Sequence, residues 1–296
     1  MNCLMAEEIV VPESEQPKRL ENFLKKRFPI GYIRKLFRKK AVRLNGRRTG
    51  PDDTAGPGDR ISLFIPYEAQ STGEKALSRT GFEIVFEDDG LLIVNKDAGV
   101  AVHEGKGIPK RHSLAGMLEA RYRPRGIVPK LVHRIDKETS GLLAVAKNEE
   151  TAEALERSFK EGAVEKDYLA LVVGGVHPKE GTIEFPLPGR DRKPVRALTR
   201  YRAERIFLTT SLLRVSTETG RMHQIRLHFA GIGHPLVMDD EHGDFSFNKQ
   251  FRKVYGLKRQ FLHASTLAFE HAGKKRKWSA PLPEDLARTL KLLETK

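Results

Sequence analysis

The chain has 296 residues and one cysteine, Cys3. A single thiol excludes an internal disulfide and any zinc site built from cysteines, and it suits a reducing compartment. Nowhere do about 18 apolar residues follow one another, the length a membrane-spanning helix needs, so no membrane partner is expected. The N-terminal MNCLMAEEIVVPESEQ contains acidic residues and no long apolar stretch, which does not read as a secretory signal. The expected location is the cytoplasm. Acid is scarce: 39 Asp and Glu face 53 Lys and Arg, for a net charge of +14. That surplus concerns partners rather than fold, and it favours polyanions, nucleic acid before anionic membrane. Hydrophobic residues make up 39% of the chain, enough for a sizeable core in one large domain and one small one.

The charge is concentrated near the start. Residues 18–60 hold 14 Lys and Arg against 4 Asp and Glu. RLENFLKKRF places Leu20, Phe23, Leu24 and Phe28 at helical spacing, and IRKLFRKK repeats the pattern with Ile33, Leu36 and Phe37. AVRLNG alternates into an Asn45-Gly46 turn, a hairpin signal, and GPGDRISLFIP adds a turn and a strand. We therefore expect a small α/β domain over residues 17–67, a polar linker over 68–81 and a larger domain over 82–290. In the larger domain strand-like runs dominate: two hinged at Asp88-Asp89-Gly90, then LLAVAK, DYLALVVGGV, GTIEFPL, ALTRYRAERIF, TTSLLRVSTE, QIRLHFAGIG and FLHASTLAFE. SLAGMLEARY and TAEALERSFKEG read as helices. The expected class is α+β, a mixed, mostly antiparallel sheet with flanking helices.

Four stretches carry more polar chemistry than a core needs. His133-Arg134-Ile135-Asp136-Lys137-Glu138-Thr139-Ser140-Gly141 sets an acid among basic groups in a loop that feeds the apolar strand LLAVAK. By itself Asp136 reads equally as half of a structural ion pair or as a reacting carboxylate. Lys166-Asp167-Tyr168 opens a strand. Glu218 to His228 packs Arg221, His223, Arg226 and His228 into eight residues, as phosphate contacts or a cation-lined site would. Asn95 to His103 reads as a turn between two strands. Lys274-Lys275-Arg276-Lys277-Trp278 reads as a solvated basic turn.

HRIDKETSGLL, GRMHQIRLH, NKDAGVAVH and KDYLALV together resemble the RluA-type pseudouridine synthases. The preceding Arg19-Leu20, Phe23-Leu24, Val42 to Gly46 and Gly58 to Ile61 resemble the alpha-L RNA-binding domain. Two departures stand out: Asp97 replaces a commoner proline, and Val237 to Gly243 is a loose version of the family's Gly-Asp-x-x-Tyr-Gly turn. The resemblance implies isomerisation of uridine to pseudouridine in RNA without cofactor or metal. It implies Asp136 as the catalytic carboxylate, acting at the ribose by attack or by removing a proton. Arg226 would be its ion-pair partner and Tyr168 the residue stacked on the extruded uracil. His133, Arg134, Thr139, Arg221, His223 and Gln224, with Lys35, Arg38 and Arg43 in the small domain, become candidate RNA contacts. Large-subunit ribosomal RNA is the favoured substrate, transfer RNA the alternative, and a monomer is expected. Two rivals remain open. A metal-dependent hydrolase would use His103, His133, Asp136, His223 and His228, whose spacings match no common ligand pattern. A non-catalytic RNA-binding or ribosome-assembly factor would share the charge but need no reacting carboxylate.

Overall fold

In this computed structural model residues 7–25, 27, 28, 33, 36–64, 81–105, 107–189, 191 and 193–295 are described. The chain divides into two compact units, Met1–Leu77 and Ser78–Lys296. Lys35 and residues 68–80 lie outside the described residues.

In the first unit the helix Leu20–Leu24 buries Leu20, Phe23 and Leu24. These pack with Ile33, Leu36, Val42, Ile61 and Leu63 into one apolar cluster. Glu7–Val10, Arg60–Leu63, Val42–Leu44 and Arg47–Arg48 form an antiparallel sheet in that order. The Asn45-Gly46 turn closes the hairpin with φ 49° and 77°, the positive values that a tight two-residue turn needs. Asn45 also accepts from the Arg60 N–H at 2.8 Å and donates to Asp59 at 2.7 Å. One side chain thus joins the hairpin to the neighbouring strand. The strand Glu7–Val10 was not visible in the sequence pattern.

The second unit is built on a ten-stranded sheet. Its main path runs Glu180–Ile183, Thr199–Ile206, Thr210–Thr217, Glu165–Val173, Leu262–His271, Ser140–Ala146, Leu91–Lys96 and Phe82–Glu87. Lys274–Ser279 and Lys130–Leu131 pair beside that path. Among the described residues only the strands Ser140–Ala146 and Leu262–His271 pair in parallel, so the expected α+β class with a mostly antiparallel sheet holds. Every residue of Ser140–Ala146 is buried. Leu142, Ala144 and Ala146 face one apolar cluster with Leu267 and Trp278. Leu143 and Val145 face another with Leu118 and Tyr122. Burial on both faces explains the unbroken apolar run. At the strand's mouth Gly141 has φ 118°, and a Cβ there would stand 2.2 Å from the Ala264 carbonyl oxygen. Only glycine lets the two parallel strands meet at this point.

SLAGMLEARY and TAEALERSFKEG are helices, Leu114–Tyr122 and Glu149–Lys160. Ser113 caps the first through the Gly116 N–H, and Asn148 caps the second through the Thr151 N–H. Four expectations need correction. QIRLHFAGIG is a helix, Gln224–Gly231, not a strand. Its apolar-polar alternation imitates a strand, but Ile225 and Phe229, one turn apart, enter the same cluster beside Leu213 and Val215. Among the described residues after Lys96 no second strand forms before the Leu114 helix, only isolated bridges such as Ala101 to Ser113. The basic stretch at 274 is not a turn: Lys274–Ser279 is a strand, and Trp278 packs against Phe269 and Phe86. Tyr168 sits within its strand, Glu165–Val173, rather than at its start. Helices Phe245–Tyr255 and Glu284–Glu294 went unread in the sequence. No helix among the described residues is long and apolar enough to cross a membrane.

Candidate active site

Asp136 stands on the turn before the buried strand, and that turn is tied down residue by residue. The Asp136 carbonyl accepts from the Thr139 N–H at 3.1 Å. The Lys137 carbonyl accepts from the Gly99 N–H at 2.9 Å and from Lys96 Nζ at 3.1 Å. The Glu138 carbonyl accepts from Arg259 Nη1 at 3.3 Å, and Arg259 is itself clamped by both oxygens of Asp285. Thr139 Oγ1 accepts from Gln260 Nε2 at 2.7 Å. The backbone under Asp136 is therefore fixed independently of its carboxylate.

Lys96 is 1% exposed and spends its ammonium on three carbonyls, those of Asp97, Val100 and Lys137, at 2.9, 2.7 and 3.1 Å. Burial pulls its pKa down to about 7, partly offset by Glu138. This lysine joins the 97–100 turn to the Asp136 turn. With Asp136 as the reacting group that the resemblance implies, Lys96→Met should leave RNA affinity nearly unchanged while turnover falls by about 100-fold, a typical cost of displacing such a group by about 1 Å. Single-turnover kinetics beside a binding isotherm would show it. Unchanged turnover would mean that the Asp136 turn holds without the lysine.

Arg226 comes from the helix Gln224–Gly231 and is nearly buried. Its fork closes on Asp239, Nε to Oδ2 at 2.7 Å and Nη2 to Oδ1 at 2.8 Å. That leaves Nη1 to donate to Asp136 Oδ2 at 3.2 Å and Nη2 to reach Glu241 at 3.1 Å. Burial opposes the charge on Arg226, but Asp239 and Asp136 outweigh it, and the guanidinium is held more firmly protonated than usual. Asp239 is fully buried, and it also accepts from the N–H groups of Glu241 and His242 at 3.0 Å each. Its turn passes through Met238 at φ 63°, a conformation costly for a residue with a side chain. Asn248 braces it, accepting from the Met238 N–H and donating to the Asp239 carbonyl.

Tyr168, Asp136 and Arg226 line one cavity of about 540 Å³ with Ile225, Leu262, Arg134 and Arg221, a volume typical of small-ligand sites. Beside Tyr168 the pairing with Leu262–His271 slips by one residue, a bulge of the kind that re-aims a side chain. Burial first, then the Asp136 carboxylate, pushes the phenol's pKa up. At neutral pH Tyr168 is a neutral ring set opposite an acid. A second cavity of about 700 Å³ shares Asp136, Arg134, His223 and Arg226, and adds Lys137, Lys258 and Arg259.

The other expected contact residues divide. Arg134 and Arg221 are exposed on the first cavity's wall. His223 is half-buried, with Nε2 3.9 Å from Asp136 Oδ1; burial and the nearby Arg226 keep it more neutral than an ordinary histidine, against the pull of Asp136. Three of the expected RNA contacts are engaged by the protein itself, two of them, Thr139 and Gln224, on the first cavity's wall. His133 accepts from the Ala144 N–H at 2.8 Å and stacks on Phe159. Burial pushes it down to about 3, so it is a neutral brace for the strand. Thr139 is 1% exposed and engaged with Gln260. Gln224 is buried and ties Thr219, the Arg221 N–H, Leu198 and Thr199 together. His228 is likewise turned inward, between Thr199 and the Phe185 carbonyl. In the first unit Arg38 and Arg43 are exposed, and Arg43 lies over the Phe64 ring. Asp239, Glu241, Arg259 and Lys96 were not singled out in the sequence. For Asp239 and Glu241 a signal existed, since both lie in the Val237–Gly243 turn.

The family described as RNA pseudouridylate synthase matches residues 90–231. Ribosomal large subunit pseudouridine synthase C of Salmonella typhi is 34% identical, over 97% of this chain and 97% of that protein. The protein of the same name from Haemophilus influenzae is 33% identical, over 97% and 95%. Among solved structures, human RNA Pseudouridylate Synthase Domain Containing 1 is 27% identical with a TM-score of 0.57, over 70% of this chain and 86% of that one. Human RNA Pseudouridylate Synthase Domain Containing 4, at 24% identity, shares the fold with a TM-score of 0.62. Likeness of this extent in sequence leads to one conclusion: the chain belongs to the RNA pseudouridylate synthase family and is an isomerase that forms pseudouridine in RNA.

Proposed function

We propose that this enzyme modifies uridines in large-subunit ribosomal RNA, with Asp136 as the catalytic carboxylate, Arg226 as its ion-pair partner and Tyr168 as the face on which the uracil rests. The observation that carries this reading is the division of Arg226. Two of its nitrogens are locked on Asp239, so the third meets Asp136 at a fixed angle over the cavity that Tyr168 lines. A bidentate clamp behind the guanidinium fixes its direction as well as its charge.

The reaction breaks the bond from N1 of uracil to the ribose C1′, turns the base, and joins C5 to the same carbon. N1 gains a proton and C5 loses one. A carboxylate at the ribose serves either route open to it, attack on C1′ to give a covalent sugar ester or removal of a neighbouring proton. Tyr168, neutral and beside the acid, offers a ring to the base. Extruding a base costs roughly a few kcal/mol; Arg134, Arg221 and His223 at the cleft, and Arg38 and Arg43 in the small unit, would offset this by gripping backbone. The names of the bacterial relatives support the large subunit as target. Residues 17–67 would act as an alpha-L-type RNA-binding domain, joined by a 68–81 linker to a catalytic domain over 82–290. The enzyme would work as a cytoplasmic monomer.

Mapping pseudouridine across total RNA from cells with and without the gene tests the target. We expect discrete sites to vanish from large-subunit ribosomal RNA. Loss confined to transfer RNA would reassign the substrate, and an unchanged map would sink the proposal.

A further inference from the structure

At the rim of the cleft, three side chains that border the Asp136–Arg226 pair also point at one another. His223 Nδ1 lies 3.0 Å from His242 Nε2. Glu241 reaches both rings with its two oxygens, Oε2 3.5 Å from His223 Nδ1 and Oε1 3.8 Å from His242 Nε2. All three ligand atoms fall within 4.8 Å of one another. Ligands held at about 2.0–2.1 Å from a tetrahedral zinc ion stand about 3.3 Å apart, so the observed spacings bracket that edge. The ring centroids, at 5.2 Å, match two imidazoles across such an ion, about 5 Å apart. Binding would ask the rings to tilt rather than to travel.

The parts are placed by local structure. His223 takes a left-handed φ of 53° ahead of the helix Gln224–Gly231. Glu241 and His242 follow Asp239, whose carboxylate holds both their N–H groups. His242 also occupies the position where the related turn commonly carries tyrosine. Glu241 is 59% exposed on its side chain, free to turn from Arg226 toward a cation.

We propose that His223, Glu241 and His242 form a site for a divalent transition metal of the zinc class, and that occupancy slows the isomerase. Two imidazoles and a carboxylate suit zinc better than magnesium or calcium, and a three-residue set leaves a fourth position for water. Occupancy alters the centre in two ways. A metal on Nδ1 fixes the His223 proton on Nε2, and that nitrogen faces Asp136 Oδ1 across 3.9 Å. The N–H then competes for the lone pairs on which Asp136 acts. Drawing Glu241 to the metal also removes one of the three carboxylates around Arg226. The slowing rests on Asp136 being the catalytic carboxylate; the binding does not.

The test titrates the full-length, metal-free protein with Zn²⁺ by calorimetry and with Co²⁺ by visible absorption, for the parent, His242→Tyr and Glu241→Gln. We expect one ion per chain, a tetrahedral Co²⁺ spectrum, and affinity weakened by about 100-fold in His242→Tyr and less in Glu241→Gln. Pseudouridine formation by the parent should fall on adding Zn²⁺ and recover with chelator. Each variant, measured against its own metal-free rate, should need proportionately more metal. No binding, or binding that both variants keep unchanged, overturns the site. Stoichiometric binding without loss of turnover overturns the regulatory role. An inactive metal-free parent would count against the proposed RNA target and would leave the Co²⁺ result to decide the site alone.

Discussion

Asp136→Asn should bind substrate RNA as well as the parent and form no pseudouridine. The two side chains have the same shape, and an amide oxygen can still accept from Arg226 Nη1, now 3.2 Å from Oδ2. The turn does not depend on the carboxylate, because the carbonyls of Asp136, Lys137 and Glu138 are each bonded elsewhere. Folding should therefore survive. Removing a negative charge beside Arg134 and Arg226 will not weaken the hold on a polyanion. What is lost is the group able to add to a sugar carbon or take its proton, and an amide does neither. We expect turnover to drop more than about 10⁴-fold, over about 5 kcal/mol of barrier, with RNA affinity within a few-fold. The proton lost from C5 gives the assay: tritium released from C5-labelled uridine in a transcript, beside a binding isotherm. Release at the parent's rate would remove Asp136 from the mechanism. Equal losses of affinity and release would make it a binding residue.

That prediction was already accessible from HRIDKETSGLL, but the reason for the arrangement was not. The sequence places Asp136 in a loop before a buried strand, and the two-faced burial of Ser140–Ala146 follows from its apolar run. It does not reveal that Gly141 must pass within touching distance of Ala264, because pairing between strands about 120 residues apart leaves no local pattern. Periodicity misled at QIRLHF for a related reason. Gln224, Arg226 and His228 are buried polar residues whose partners lie on other segments, and their alternation with apolar residues imitates an exposed strand face. His133, Thr139 and Gln224 make bonds of the same kind and brace the fold. A polar side chain looks alike in sequence whether it faces solvent or satisfies a buried backbone group. Asp239 lies in the Val237–Gly243 turn that resembles the family's, yet only tertiary geometry shows that the ion pair of Asp136 and Arg226 has a third member.

Asp239→Asn should therefore cost both stability and rate. Asp239 is fully buried and takes both Nε and Nη2 of a nearly buried Arg226. An asparagine can accept from one nitrogen, but its amide would turn N–H toward N–H at the other. Breaking one side of a buried ion pair costs about 3–5 kcal/mol, and a domain of this size loses roughly 2–4 °C of melting temperature per kcal/mol. The pH dependence has a definite sign. Burial pushes the Asp239 carboxyl up, but bonds from Arg226 and from the N–H groups of His242 and Glu241 outweigh it, leaving the pKa below 3.8. Its contribution is thus full above the unfolded value and is lost as pH falls through the folded one. The gap in melting temperature between parent and variant should be constant near neutrality and close in strong acid. For catalysis, Arg226 would keep only Asp136 and the exposed Glu241, so its guanidinium could swing. Turnover should fall by about 100-fold with little change in RNA affinity. The double variant Arg226→Met, Asp239→Leu separates the two roles. Apolar replacement of a buried pair commonly restores stability, so melting should recover while turnover stays low. If turnover recovered with melting, the pair would serve the fold alone, and Asp136 would need no cation to aim it.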